Sequence, residues 1–423
     1  MLHMPADVGA MDPHRTEAYV AWTLGAGLAF AIVSVVLIWR PPGGRAALAF
    51  IIGTGLAMRA IPFITPPLLS TDVYRYVWDG RVQAAGINPY RYVPADPALE
   101  SLRDPGHGPH AIYPNINRAD YAPTIYPPVA QAIFAIASFV APGMWGMKAV
   151  MLGFDLLAMG LTLLTLQACA LPLSRIVLYA WNPLVLLEFA GGAHVDALAA
   201  GFSAMAILAA IRARPGWAGA ALAGAVLCKL LPAAIGPALW RPRTWRMPVV
   251  AGAAIILAYA AYAGAGLRVL GFLPGYATEE GLGGAGVLLL RLIPGTVPTW
   301  AMPAYGLAGL VLLAALALRA TVQPETPRVM VANAVWLTAA AMAVLSPHYP
   351  WYLSALAVPA TVAPRLSAFW LMIAAPLLYL DPYHEHVVWP ALLFLPAVAT
   401  LAYDLVRHRL PEKPDVRNAR GTR

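Results

Sequence analysis

Residues 20–39 read VAWTLGAGLAFAIVSVVLIW, a run of 20 residues without a charged side chain. An α-helix needs about 20 mostly apolar residues to cross the hydrocarbon core of a bilayer, so this run predicts a membrane-spanning helix. Similar runs recur at 46–62, 150–167, 197–211, 249–263, 304–318, 329–345, 351–362, 369–380 and 388–405. Shorter or proline-broken runs lie between them. We expect one all-α polytopic membrane domain over residues 1–423, with about 10 to 13 membrane helices.

The composition agrees with this class of protein. The chain is 60% hydrophobic and only 11% charged, whereas a soluble domain carries about 25% charged residues. Its net charge of +8 lies in short connections and in the tail, so it does not indicate nucleic-acid binding. The two cysteines, Cys169 and Cys228, lie in apolar runs and predict neither a disulfide framework nor a thiolate metal site.

Basic residues predict the orientation of the chain. An excess of Arg and Lys in short loops is typical of the cytoplasmic side, and such residues occur at Arg40, Arg45, Arg212, Arg214, Arg241, Arg243, Arg246 and in the basic tail 407–423. Counting spans from these points places the loop 64–125, the tip around His348 and the segment 268–283 together on the external face. The segment between the connections at 212–214 and 241–246 must then turn back. We expect a helical hairpin broken at Lys229-Leu230-Leu231-Pro232, because proline ends the preceding helix.

The longest polar stretch, residues 64–125, is the predicted external catalytic loop. From Ile64 to Pro128 the chain holds 11 prolines and 7 tyrosines. Disordered linkers avoid aromatic residues, so a loop of this composition is typical of an ordered, functional segment. Within it, the apolar spacing over 73–85 predicts a short amphipathic helix at the membrane interface. Asp72 starts this helix, either as an ordinary N-cap or as a general base facing a lipid-accessible pocket.

A set of short motifs carries a family resemblance. STDVYRYVWDGRVQ stands at 70–83 and GINPY at 86–90; after them come TIYPP at 124–128, WNP at 181–183, HVD at 194–196, KLLP at 229–232 and SPHY at 346–349. In this order, from about residue 68 to 360, the set resembles the GT-C glycosyltransferases that use polyprenyl-phosphate mannose, and glycosyltransferase family 87 most closely.

The resemblance implies a GT-C fold whose long external first loop bears interfacial helices. It implies an inverting glycosyltransferase, a mannosyltransferase, that moves a hexose from a polyprenyl-phosphate sugar to a lipid or glycan acceptor. Asp72 takes the place of the family's base. No cofactor and no metal is expected, and the expected partners are the lipid donor, the acceptor and membrane lipids, without nucleic acid. We expect a multi-pass protein of a bacterial inner membrane with an external, periplasmic active site.

The remaining candidate residues follow from the chemistry of a leaving phosphate, which needs cations. The candidates are His348, Lys229, Arg75 and Arg81. His348 has an alternative as an interface residue, Lys229 as a side chain that extends to the interface, and the two arginines as ion-pair partners of Asp79. We expect further substrate contacts from Tyr76, Asp79, Tyr126, His194 and Asp196.

One alternative function stays open at this point. Broken helices and an intramembrane lysine also suit a transporter or flippase for a lipid-linked sugar, without catalysis. A long ordered loop and the absence of an internal repeat favour the enzyme. The segment 381–386, DPYHEH, has a metal-like composition but is more typical of a solvated loop.

Overall fold

The computed structural model describes residues 13–104, 106, 108, 111–240, 243–281, 286–381 and 385–407. Within them every regular element is helical, which confirms an all-α polytopic membrane protein. The α-helices are α1 (Pro13–Trp39), α2 (Arg45–Ile64), α3 (Asp72–Ala84), α4 (Pro128–Val140), α5 (Met144–Ala168), α6 (Val177–Ala180), α7 (Pro183–Val185), α8 (Asp196–Ile211), α9 (Pro215–Val226), α10 (Gly236–Leu239), α11 (Arg246–Ala260), α12 (Leu273–Glu279), α13 (Leu288–Arg291), α14 (Ala301–Val322), α15 (Pro327–Leu345), α16 (Ala357–Val362), α17 (Leu366–Ala374) and α18 (Val388–Arg407).

Tighter and wider helical turns join these elements. 3₁₀-helices cover Pro97–Leu102, Tyr113–Asn115, Leu173–Ile176, Leu231–Ile235, Ala263–Leu270, Pro350–Leu356 and Ala375–Leu380. A π-helix covers Leu186–Gly191 and follows α7 directly. π-helical turns are rare and occur often at functional sites. The residues that follow the π-helix form part of the candidate active site.

Six helices in the described residues are long and apolar enough to cross a membrane: α1, α2, α5, α14, α15 and α18. Two bent pairs raise this number to as many as eight: Leu173–Ala180 with Pro183–Gly191, bent by 52°, and Arg246–Ala260 with Ala263–Glu279, bent by 113°. Shorter apolar helices cover Pro128–Val140, Asp196–Ile211 and Leu366–Leu380. Several of the apolar runs counted from the sequence are therefore short or bent helices, because proline and glycine interrupt them.

Helix α8 lies at the centre of the protein, between α5 and α9. Its side chains are almost all buried and small, which lets neighbouring backbones approach closely. Gly201 on α8 faces Phe154 of α5, and Gly219 on α9 faces the backbone of Met247. The contact of Gly201 with Phe154 holds α8 against α5 and thereby helps to position Asp196 at the start of α8.

Two buried cations join the surrounding helices. Arg59 of α2 forms a bidentate ion pair with Asp155 of α5, with Nε–Oδ2 and Nη2–Oδ1 distances of 2.6 and 3.1 Å, and Tyr179 donates to the same carboxylate. Lys148 donates to three backbone carbonyls, among them that of Gly191 at 2.7 Å. Lys148 and Asp155 do not pair with each other, because two helical turns separate them by about 10 Å along α5.

The helix predicted at 73–85 is present as α3, one residue earlier at each end. It is enclosed by protein on both faces, because Val73, Tyr74 and Arg75 are all buried. It packs on α4, and Gly80 makes the closest approach: a Cβ there would overlap the carbonyl of Phe134 and the hydroxyl of Ser138. The first loop is therefore seated on the helical body through a contact that only glycine allows.

Gly80→Ala is expected to lower the free energy of unfolding by about 1–3 kcal/mol, the usual cost of overpacking a tight contact. The added methyl group must push α3 away from a backbone carbonyl, which cannot rotate aside. The measurement is the thermal unfolding midpoint of the purified protein in detergent. Gly153→Ala in α5 is the matched control, since nothing lies within 4 Å of a Cβ there. Equal midpoints for the two variants would contradict the packing argument.

The segments that the basic residues assigned to one face do contact one another. Arg118 of the first loop pairs with Glu279, and the ring of His348 lies 3.6 Å from Glu280. Among the connections expected on the cytoplasmic side, Arg243 lies 4.0 Å from Glu325. The hairpin is also present: α9 ends at Val226, and the chain returns through Leu231–Ile235 and α10. Of the basic tail, residues 408–423 lie outside the described residues.

Candidate active site

Asp72 is the first residue of α3, but its side chain does not cap the helix. The N-cap is Thr71, which makes no capping hydrogen bond, and the backbone N–H of Asp72 donates to Ser70. Oδ1 of Asp72 accepts from Nδ2 of Asn117 at 2.9 Å, and Oδ2 lies 3.7 Å from Nδ1 of His194. The side chain is 18% exposed, so this carboxylate is held by polar neighbours and still open to a substrate.

His194 lies between two carboxylates. Its Nδ1 faces Asp72, and its Nε2 lies 3.3 Å from Oε2 of Glu188 in the π-helix. The ring is fully buried and stacks on Trp351, with centroids 4.0 Å apart and planes inclined by 17°. Neither nitrogen has hydrogen-bond geometry to its carboxylate, so the two contacts are electrostatic.

The opposite charges in this cluster stabilise each other's ionised forms. Burial disfavours the charged ring, but the nearby carboxylates of Asp72 and Glu188 outweigh it and raise the pKa of His194 to about 9. Burial likewise opposes the Asp72 carboxylate, but His194, Asn117 and Arg118 outweigh it and lower the pKa of Asp72 below its ordinary value. At neutral pH the site therefore holds an ionised Asp72 beside an imidazolium.

Lys229 stands at the break of the predicted hairpin and is ion-paired. Its ammonium donates to both carboxylate oxygens of Asp196, at 2.7 and 2.8 Å, and lies 3.6 Å from the centroid of the Tyr352 ring. The hydroxyl of Tyr352 is 2.7 Å from that of Tyr276 in α12. Although His194 and Asp196 are two residues apart, one faces Asp72 and the other faces Lys229.

Tyr76 and Tyr126 form a buried wall behind this cluster. Their rings meet edge to face at 4.9 Å, and Tyr76 stacks on Phe134. The hydroxyl of Tyr76 accepts the backbone N–H of Val195, between the two polar residues of the HVD motif, at 3.3 Å. These tyrosines hold that motif against α3.

The other charged candidates on α3 have partners of their own. Arg75 pairs with Asp79 at 2.9 Å, and Asp79 also accepts from Gln131 at 2.8 Å. Arg81 pairs with Asp104 at 3.1 Å. Arg75 thus forms the ion pair with Asp79 that the sequence offered as an alternative, whereas Arg81 pairs with a residue that the sequence did not suggest. Neither contact brings these arginines to Asp72.

A second set of charged residues includes Arg118, which interacts with Asp72. His348 is mostly buried beside Glu280, and Arg118 donates to Glu279 at 2.7 Å. Arg118 was missed in the sequence, where it is one of five arginines in the loop and follows no spacing pattern. Burial opposes its charge, but Tyr349, Glu279 and Asp72 outweigh it and raise the pKa of Arg118. A guanidinium that remains charged therefore faces the candidate base.

Metal ligands do not assemble in this region. Across the described ranges, no group of three or more His, Cys, Asp or Glu side chains could hold a metal ion. In the metal-like segment 381–386, residues 382–384 lie outside the described residues; Asp381 accepts the backbone N–H groups of Glu385 and His386 at 2.9 and 3.0 Å. That carboxylate closes a turn.

The fold and the site together define a polytopic membrane protein in which the carboxylate of Asp72, partly exposed, lies beside the buried ring of His194. A family model described as "Alpha-(1->6)-mannopyranosyltransferase, N-terminal domain" (MptA_B family) matches residues 4–241. Because this match covers more than half of the chain, the protein belongs to that family and is a glycosyltransferase. The matched part contains Asp72, Arg118, Glu188, His194 and Lys229. No curated protein and no solved structure matches the chain.

Proposed function

We propose that this protein is an inverting mannosyltransferase of the GT-C type. It takes mannose from a polyprenyl-phosphate mannose donor and passes it to a lipid or glycan acceptor, as an α-(1→6) linkage. The family match supports mannosyl transfer, and the resemblance of the loop motifs to glycosyltransferase family 87 supports the lipid-phosphate donor. The observation that carries the proposal is the open, ionised carboxylate of Asp72, facing the cations His194 and Arg118.

In the proposed reaction Asp72 takes the proton of the acceptor hydroxyl as the oxygen attacks the anomeric carbon. The bond between that carbon and the phosphate oxygen breaks, and the electron pair leaves with polyprenyl phosphate. The acceptor attacks opposite the phosphate, so the configuration inverts. Positive charges and hydrogen-bond donors near the leaving oxygen stabilise the new charge, and Lys229, Arg118 and His348 are the residues proposed for this role.

A narrow groove lies between α8 and the returning arm of the hairpin, and we propose it as the path of the lipid donor. It runs from Lys229 and Asp196 past Ser203 and Leu231 to Ile207 and Ile235, and its two cavities, of about 10 Å³ each, are the size of a water molecule, so the donor must widen it. Eleven residues of α8 separate Asp196 from Ile207, which is about 16 Å. A charged end followed by an apolar wall matches a phosphate followed by an isoprenoid chain. We place this site on the non-cytoplasmic face of a bacterial inner membrane.

The test is a transfer assay with purified protein in nanodiscs. Radiolabelled polyprenyl-phosphate mannose and a membrane lipid extract are supplied, and products are separated and analysed for new glycosidic bonds. We expect labelled glycolipid from this donor and none from a nucleotide-linked mannose. Movement of the intact donor between leaflets without any new glycosidic bond would instead support the transporter alternative.

Arg118→Gln is expected to lower kcat/KM for the donor by about 10-fold or more, because a partly buried cation proposed to lie beside the leaving phosphate is lost. The measurement is initial rate against donor concentration in the same assay. Arg91→Gln is the matched control, since Arg91 is exposed and donates to the carbonyl of Gly264. A rate for Arg118→Gln equal to that of the control would remove Arg118 from the phosphate site.

A further inference from the structure

Glu188 is a buried carboxylate that has no role in the proposed reaction. It lies in the π-helix Leu186–Gly191, and both of its carboxylate oxygens accept from the hydroxyl of Tyr379, at 2.9 and 3.0 Å. Its Oε2 faces Nε2 of His194, on the side of the ring opposite Asp72. A buried carboxylate is costly unless it is paired, so its placement against this ring needs a reason.

The carboxylate of Asp72, the imidazole of His194 and the carboxylate of Glu188 therefore stand in one row, whose inner two members are buried. The ring cannot turn away, because Trp351 stacks on it and Gly192 lies against its edge. The charged or titratable groups facing the row are Arg118, Tyr76, Tyr126 and Tyr349 near Asp72, and Tyr379 and Tyr19 near Glu188. Of these only Arg118 is a cation. His194 is therefore the positive charge in direct contact with both carboxylates.

We propose that Glu188, acting through His194, is a positioning residue that keeps Asp72 ionised and ready to accept the proton of the acceptor. The inference rests on the proposed function, in which Asp72 is the base. When Asp72 takes that proton, the imidazolium loses one of its two counter-ions and Glu188 remains as the other. The ring thus stays charged and favours release of the proton from Asp72 before the next turnover.

The direction of the pH effect follows from the charges. Asp72 works as a base above its own pKa, which the imidazolium lowers, and the imidazolium is present below the pKa of His194, about 9. Without the negative charge of Glu188, the pKa of His194 falls and that of Asp72 rises. The acid limb of the pH–rate profile then moves to higher pH and the alkaline limb to lower pH.

The experiment compares pH profiles of kcat and KM for Glu188→Gln and the unchanged protein. We expect a narrower profile and a loss of about 10-fold in kcat at neutral pH, part of the 10²–10⁴-fold that a general base contributes. KM for the donor stays within about 2-fold, because Glu188 touches no substrate. Glu188→Asp, which keeps a carboxylate, is expected to restore part of the width of the pH–rate profile. Glu325→Gln, far from the site beside Arg243, keeps the original profile.

A second variant covers the case in which Glu188→Gln does not fold. Tyr379→Phe removes the hydroxyl that donates to both oxygens of Glu188 and so stabilises its charged form. With less of Glu188 ionised, the acid limb moves to higher pH, by less than in Glu188→Gln. An unchanged profile in whichever variant folds would overturn the positioning role. The activity of Asp72→Asn tests the proposed function independently of Glu188. If Asp72→Asn remains active, Asp72 is not the base, whatever the Glu188 variants show.

Discussion

Asp72→Asn is expected to lower kcat for glycosyl transfer by about 10³-fold, within the 10²–10⁴-fold that a general base contributes. Asparagine keeps the size of the side chain and an oxygen for Asn117, but it cannot take a proton from the acceptor hydroxyl. The measurement is single-turnover formation of glycolipid from polyprenyl-phosphate mannose. Donor binding, measured separately, is expected to remain within a few-fold, because the change lies on the acceptor side of the anomeric carbon.

Asp79→Asn is the matched comparison, seven residues further along α3. The Asp79 carboxylate is buried and contacts Arg75, Thr124 and Gln131, none of which reaches Asp72. Its loss leaves Arg75 as an uncompensated buried cation, which destabilises the loop. We expect less folded protein but nearly the original rate per folded molecule. Full activity of Asp72→Asn, or equal losses in both variants, would contradict the assignment of Asp72 as the base.

The sequence predicted those parts of the fold that are determined by a few neighbouring residues. Proline after Lys229 ended a helix within a few residues, and the basic connections on either side required a hairpin. The start of α3 was found to within one residue, since Ser70, Thr71 and Asp72 are typical of a helix start. Each of these signals is contained in a short stretch of chain and does not depend on how distant helices pack.

The partners of the buried charges could not be predicted in the same way. Glu188 and Tyr379 are separated by 191 positions, and Arg118 and Glu279 by 161. Which charge meets which depends on the register between helices, and that register is set by close contacts such as Gly80 against Phe134. A single sequence shows only that each buried charge needs a partner. This is why Arg118 and Glu188 were not recognised as residues of the site.

The pairing of Lys229 with Asp196 is compatible with two roles for the lysine. An ammonium held by a carboxylate at 2.7 Å is already neutralised in part. It can contact the leaving phosphate while it retains Asp196, since an ammonium has three donors and these two hydrogen bonds run to one carboxylate group. Alternatively, its only task is to neutralise Asp196.

Lys229→Met is expected to lower kcat/KM for the donor by about 10²–10³-fold, the usual loss when one donor to a developing negative charge is removed. The single variant also leaves Asp196 without its cation, and that carboxylate then repels the donor phosphate. The double variant Lys229→Met with Asp196→Asn separates these effects, because it removes the unpaired charge along with the lysine. The measurement is initial rate against donor concentration for both single variants and the double variant.

If Lys229 binds the phosphate, the double variant remains as slow as Lys229→Met, and Asp196→Asn alone keeps much of the original activity. If Lys229 only neutralises Asp196, the double variant regains most of the lost activity, because nothing negative is left to repel the donor. Lys229→Arg adds a further check: a guanidinium keeps the charge but has a planar fork of donors and a longer reach. Partial activity in that variant is expected if a positive charge at this point of the groove is what the donor requires.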